Sequence, residues 1–98
     1  MDLQELRKQI DEIDDQMISL FVQRMNVAAA IGAYKKEHGL PVLVPAREAE
    51  KLANVATKAG PEMAQYTREL YKTLFELSRS YQEKLFQNSS QPKGQEKV

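Results

Sequence analysis

Residues 3–34 read LQELRKQIDEIDDQMISLFVQRMNVAAAIGAY, the longest regularly patterned stretch of the chain. Apolar side chains recur here at alternating spacings of three and four residues, which is the period of an amphipathic α-helix. The members of this apolar seam are Leu3, Leu6, Ile10, Ile13, Met17, Leu20, Val27, Ile31 and Tyr34. The pattern predicts a long first helix whose apolar side packs against another surface.

Arg24 interrupts the apolar seam between Leu20 and Val27. A buried guanidinium is costly to desolvate unless an anion or a hydrogen-bond acceptor pairs with it. Lys35 follows eleven residues later, which at roughly 100° per residue returns it to within about 20° of the direction of Arg24. Two cations on one face indicate an anion site, although a lysine near a helix end can also extend into solvent.

Capping and breaking residues divide the chain into three helices and predict an all-α fold. The first helix runs from about residue 4 to residue 37, with Asp2 as its N-cap and His38-Gly39 at its end. The second runs from Pro45 to Lys58, because proline suits a first helical turn. Gly60-Pro61 precedes the third helix, which keeps a helical period from Met63 to about Phe86.

The chain is expected to form one domain over residues 1–86 and to associate with a second copy. A first helix of this length measures on the order of 50 Å, which is longer than a compact chain of 98 residues can cover. Residues 87–98 are polar and include Pro92 and Gly94. They are expected to form a flexible tail or a truncated linker.

Composition restricts the possible partners. Fourteen basic and fourteen acidic side chains cancel, which argues against binding to nucleic acid or to an anionic membrane surface. The sequence has no cysteine, no basic leader followed by an apolar core and no apolar run long enough to span a bilayer. We therefore expect a cytoplasmic globular domain with a small-molecule partner.

Further candidate residues lie on the second and third helices. Arg47 and Glu48 open the second helix, where an acid is also favourable simply because it faces the helix dipole. On the third helix Ser78 and Gln82 lie one turn apart and either hold a polar ligand together or form a solvated face. Arg79, the next residue after Ser78, is expected at the surface.

Arg7 points about 100° away from Arg24 and lies about 25 Å along the helix, so one helix cannot bring both to one small ligand. An antiparallel helix from a partner chain could bring them together. Taken alone, Arg7 is expected to be an exposed arginine.

The absence of several sequence motifs restricts the type of reaction that the chain could catalyse. The sequence has no glycine-rich phosphate loop and no metal-binding array, and its single histidine, His38, leaves no Ser-His-acid set. The remaining candidates are arginine, lysine, glutamine, serine and glutamate side chains. Such a set suits a multiply charged carboxylate, with catalysis by orientation and fixed electrostatics.

The order and spacing of these residues resemble the all-helical class of chorismate mutases over about residues 3–86. The matching motifs, quoted as they stand here, are LRKQIDEID at 6–14, Gln23-Arg24, IGAYK at 31–35, Pro41-Val42, Arg47-Glu48, and Ser78 with Gln82. This resemblance implies an intertwined homodimer of three-helix chains that converts chorismate to prephenate, on the way to phenylalanine and tyrosine, without a cofactor or a metal.

The resemblance also implies a role for each site residue. Arg24, Arg47 and the partner's Arg7 would surround the two substrate carboxylates, with Ser78 nearby. Lys35 and Gln82 would donate hydrogen bonds to the ether oxygen as its bond to the ring breaks. Glu48 would accept a hydrogen bond from the ring hydroxyl and help to select the reactive conformer.

One position departs from the family pattern. Val44 stands where relatives often have aspartate, just before the second helix. Valine is tolerable there if the position contributes through its main-chain amide, whereas turnover falls if the carboxylate is needed.

Two other functions are compatible with the same scaffold. An isochorismate pyruvate lyase would need a similar cationic pocket around an enolpyruvyl ether. A non-catalytic helical module for dimerisation or regulation would not need it, because apolar side chains would pack better at such positions.

Overall fold

The computed structural model describes the backbone of residues 2–90 and the side chains of residues 2–87. Three helices follow one another: α1 (Leu3–Glu37), α2 (Pro45–Ala59) and α3 (Ala64–Ser90). Residues 2–90 contain no strand, so the predicted all-α, three-helix class is confirmed. No helix in this range combines the length and apolar character needed to cross a bilayer.

The signals read from the sequence set most helix ends. The Asp2 side chain accepts a hydrogen bond from the Glu5 main-chain N–H at 2.8 Å, as an N-cap does. After α1 the chain turns through Gly39 (φ 67°), and after α2 it turns through Gly60 (φ 87°). Glycine adopts these left-handed conformations without steric cost, which explains why both helices stop where they do.

The predicted end of α3 was wrong. We expected the helix to stop near Phe86, but it continues to Ser90, so the first four residues of the predicted tail are helical. Each residue added to an existing helix gains one hydrogen bond, so a helix can be extended without burying an apolar side chain. Positions 91–98 of that tail lie outside the described residues.

A small core joins the helices, with α3 packed against both α1 and α2. Ala28 of α1, Val55 and Ala56 of α2, and Phe75 of α3 are its buried apolar residues. The buried residues of α1 are Ala28 and Gly32, and their small size lets the backbones of α1 and α3 approach closely.

The apolar seam is exposed within one chain. Every residue from 3 to 23 is exposed, and the seam side chains retain between 47% and 63% of their accessible surface. The radius of gyration is 17.8 Å, whereas a compact chain of this length has about 13 Å. Among the described residues, the apolar seam in the first half of α1 is therefore exposed rather than buried against another helix.

Candidate active site

A cleft of about 500 Å³ lies between the C-terminal half of α1, the start of α2 and the middle of α3. Clefts of this volume accommodate small organic ligands. The structure brings seven of the eight residues singled out in the sequence to the wall of this cleft: Arg24, Lys35, Val44, Arg47, Glu48, Ser78 and Gln82.

Arg24 is half-buried and held in the cleft by two contacts from α3. Its Nη1 donates a hydrogen bond to Ser78 Oγ at 2.9 Å. Its guanidinium carbon lies 5.7 Å from the centre of the Tyr71 ring, a cation–π distance. The side chain therefore does not extend into bulk solvent.

Lys35 is fixed by the segment between α1 and α2. Its Nζ donates a hydrogen bond to the main-chain carbonyl of Val42 at 2.9 Å, and the side chain is half-buried. An ammonium has three donors, so this bond leaves two for other acceptors. Lys35 thus presents fixed positive charge to the cleft.

Gln82 is the buried polar residue of the described core, with 6% of its surface accessible. Its Nε2 donates a hydrogen bond to the Ala28 carbonyl at 2.7 Å. A primary amide has two N–H donors, and the carbonyl orients the group by taking one of them. The Gln82 side chain also lines the cleft.

Gly32 makes room for this arrangement. A Cβ atom built on Gly32 would lie 2.8 Å from Gln82 Cγ and 3.2 Å from Gln82 Cβ. Both distances are below ordinary van der Waals contact, so a side chain at position 32 would displace Gln82. The glycine in α1 is thus required by the position of a side chain in α3.

Glu48 forms an ion pair with Arg79 across the contact between α2 and α3. Both side chains are partly buried and both line the cleft. The prediction that Arg79 lies at the surface was therefore wrong. Its long side chain reaches from α3 to a carboxylate on a different helix, which helical periodicity does not reveal.

Arg47 and Lys51 complete the α2 wall. Arg47 is exposed, and its Nη1 lies 3.5 Å from Glu50 Oε1. An exposed pair of this kind holds its partners weakly, so Arg47 can turn toward a ligand. Lys51 was not singled out in the sequence, although it lies one turn beyond Arg47 and Glu48 and shares their face.

The cleft is strongly positive although the whole chain is neutral. Of the described residues, five cations and one carboxylate line it, which gives these side chains a formal charge of +4. The cations are Arg24, Lys35, Arg47, Lys51 and Arg79. A local field of this sign attracts anionic ligands and favours compounds with more than one carboxylate.

Arg7 is the candidate that the structure leaves apart. It is exposed, lies in the second turn of α1 and does not line the cleft. Within one chain Arg7 and Arg24 therefore do not reach the same cleft, as expected from the sequence.

Comparisons with known proteins agree with these observations. A family model described as chorismate mutase type II matches residues 6–83. The chain is 42% identical over 53 residues to the T-protein of Enterobacter agglomerans, which covers 54% of this chain and 14% of that protein. It is 39% identical over 46 residues to a protein of Methanocaldococcus jannaschii named chorismate mutase, covering 47% of this chain and 46% of that protein.

A solved structure is similar over most of its length. It is a conserved hypothetical protein from Pyrococcus furiosus, with a TM-score of 0.69 and 40% sequence identity. The alignment covers 82% of this chain and 93% of that one. The matches to the two curated relatives, by contrast, span less than half of the length of either relative.

Proposed function

Because this chain belongs to the type II chorismate mutase family, the all-helical class, we propose that it converts chorismate to prephenate, a step toward phenylalanine and tyrosine. The observation that carries the proposal is the convergence of Arg24, Lys35 and Gln82 on one cleft. Each is fixed by a hydrogen bond within the chain. Donors that are already oriented do not have to reorganise during the reaction.

Substrate binding is assigned to the arginines. Chorismate carries two carboxylates, and the guanidinium fork matches a carboxylate with two parallel hydrogen bonds. Arg24, held by Ser78, would bind one carboxylate, and Arg47 would leave its exposed partner Glu50 to bind the other. Anchoring both ends favours the conformer in which the reacting carbons approach each other.

Bond breaking is assigned to Lys35 and Gln82. In the rearrangement the bond between the ether oxygen and the ring breaks as a carbon–carbon bond forms, so negative charge develops on that oxygen. Both side chains present donors to the same cleft. Removing one such donor typically costs on the order of 2.7 to 4 kcal/mol of transition-state stabilisation.

Glu48 is assigned to the ring hydroxyl, and Val44 to substrate binding through its main chain. The carboxylate of Glu48 would accept a hydrogen bond from the hydroxyl, which helps to fix the ring conformer. Val44 lines the cleft as the N-cap of α2 with no side-chain capping bond. Because the valine side chain has no hydrogen-bonding group, only the main-chain atoms of Val44 can bind a polar group of a ligand.

The proposed active unit is a homodimer with α1 helices packed antiparallel. The exposed apolar seam supports a second copy as its cover, because a long contiguous apolar surface is unfavourable in water. An antiparallel partner would bring its own Arg7 near the cleft, which one chain cannot do. The cytoplasmic location expected from the sequence stays a prediction.

Product analysis tests this proposal. Purified chain is incubated with chorismate and, separately, with isochorismate, and both prephenate and pyruvate are measured. We expect chorismate to disappear with an equal amount of prephenate and no pyruvate. Pyruvate released from isochorismate without prephenate formation would establish the lyase instead, and inactivity toward both would indicate a non-catalytic module.

A further inference from the structure

The functional assignment above uses Glu48 but not the ion pair that Glu48 forms with Arg79. Arg79 Nη1 binds Glu48 Oε2, joining α3 to the first turn of α2. The two side chains are 26% and 27% accessible, so the pair is more shielded from water than an ordinary surface pair.

The charge of Glu48 creates a problem that Arg79 can solve. Glu48 is the one carboxylate among the described residues that line the cleft, and the proposed substrate carries two negative charges. An unpaired carboxylate at that wall would repel the substrate. A guanidinium on Oε2 compensates the charge and leaves Oε1 available to accept a hydrogen bond from a hydroxyl group.

The same contact also fixes the beginning of α2. The N-cap residue Val44 makes no side-chain hydrogen bond to the first turn, so this helix start has no side-chain cap. Both Arg47 and Glu48 lie within that turn, and both line the cleft. The ion pair to α3 supplies a tertiary restraint at this point.

We propose that Arg79 is a positioning residue that orients Glu48 and compensates its charge, so that Glu48 can hold the hydroxyl of a dianionic substrate. This inference rests on the proposed function. Arg79 does not have to touch the substrate, and its effect passes through Glu48.

The proposal predicts a specific pattern in a double-mutant cycle. Arg79→Met should lower kcat/KM by roughly 10- to 100-fold, mainly through a higher KM, because it leaves a charged acceptor without its partner. In an E48Q background the same substitution should change kcat/KM by less than about threefold, because no carboxylate remains to be positioned. Arg79→Lys should recover part of the loss.

The experiment compares wild type, R79M, R79K, E48Q and the double variant R79M/E48Q for kcat, KM and midpoint of thermal unfolding. Arg68→Met is the matched control, since Arg68 is a partly buried arginine of α3 that does not line this cleft. Arg68→Met should keep the wild-type kcat/KM. A thermal midpoint for R79M close to that of the control would separate positioning from general loss of stability.

Two results would overturn the inference. An equal loss of kcat/KM from R79M in the wild-type and E48Q backgrounds would show that Arg79 does not act through Glu48. An unchanged kcat/KM in R79M would show that the pair does not matter for turnover. A wild-type chain that leaves chorismate unchanged would instead refute the proposed function, a result that is visible before any variant is compared.

Discussion

Gly32→Ala should disable Gln82 without unfolding the chain. The added methyl would lie 2.8 Å from Gln82 Cγ, so Cγ must move by about 0.6 Å to reach a tolerable 3.4 Å. Rotation about the bond between Cβ and Cγ moves neither of these atoms, so it relieves neither this contact nor the one to Gln82 Cβ at 3.2 Å. The change must therefore come from a new χ1 rotamer or from movement of α3 against α1.

Either response breaks the 2.7 Å hydrogen bond that orients the Gln82 amide. A donor misplaced by about 1 Å can cost 10²-fold in rate, and complete loss of such a donor costs about 10²- to 10³-fold in kcat. We therefore expect kcat to fall on the order of 10²-fold. The free energy of unfolding should fall by roughly 1–3 kcal/mol, the usual cost of overpacking, because a gain of about 1 kcal/mol in helix propensity offsets the loss of a hydrogen bond worth about 1 kcal/mol.

The assay follows the loss of chorismate absorbance, with thermal unfolding measured by circular dichroism on the same samples. Gln82→Ala provides the background control, because Gly32→Ala should lower kcat by no more than about threefold once the amide is absent. The reasoning is refuted if Gly32→Ala retains kcat within threefold of wild type. It is also refuted if the substitution lowers kcat equally in the two backgrounds.

The remaining predictions concern the donors and the apolar seam. Lys35→Ala and Gln82→Ala should each lower kcat by roughly 10²- to 10³-fold while circular dichroism stays helical, whereas the neighbouring Lys36→Ala, outside the cleft, should not. Unchanged turnover would remove the electrostatic assignment of either residue. Ile13→Asp should shift sedimentation toward a monomer and abolish activity, because it places a charge in the proposed interface. Lys8→Glu, on the opposite side of α1, should leave the dimer intact, and a dimer that tolerates Ile13→Asp would contradict a role of the seam in association.

Helical periodicity predicted part of the cleft wall, because much of that wall is formed by helix faces. Arg24 and Lys35 were predicted to share one face of the first helix, and both line the cleft. On α3, Ser78 and Gln82 were predicted to lie one turn apart, and both line the cleft. Residues on one face of a helix have the same surroundings, so their spacing alone predicts that they line the same side of a cleft.

Contacts that depend on reach or on backbone approach were not predictable in this way. Arg79 lies beside the predicted face, and only its length brings it to Glu48. The need for glycine at position 32 arises from a side chain 50 residues later in the sequence, and it becomes visible only when α1 and α3 are packed. The roles proposed for the apolar seam and for Arg7 require a second copy of the chain, and experiments on association test them.

Mixing two inactive variants tests most directly whether each site is assembled from two chains. Arg7→Ala and Arg24→Ala chains are combined in equal amounts, unfolded and refolded together, and assayed with chorismate. Random pairing makes half of the dimers mixed, and each mixed dimer has one intact site of two, so we expect about a quarter of the wild-type activity. A mixture of Arg24→Ala with Lys35→Ala should show no recovery, because both changes lie in the same chain's share of the site. Activity of the first mixture no higher than the average of its two components would contradict the two-chain site.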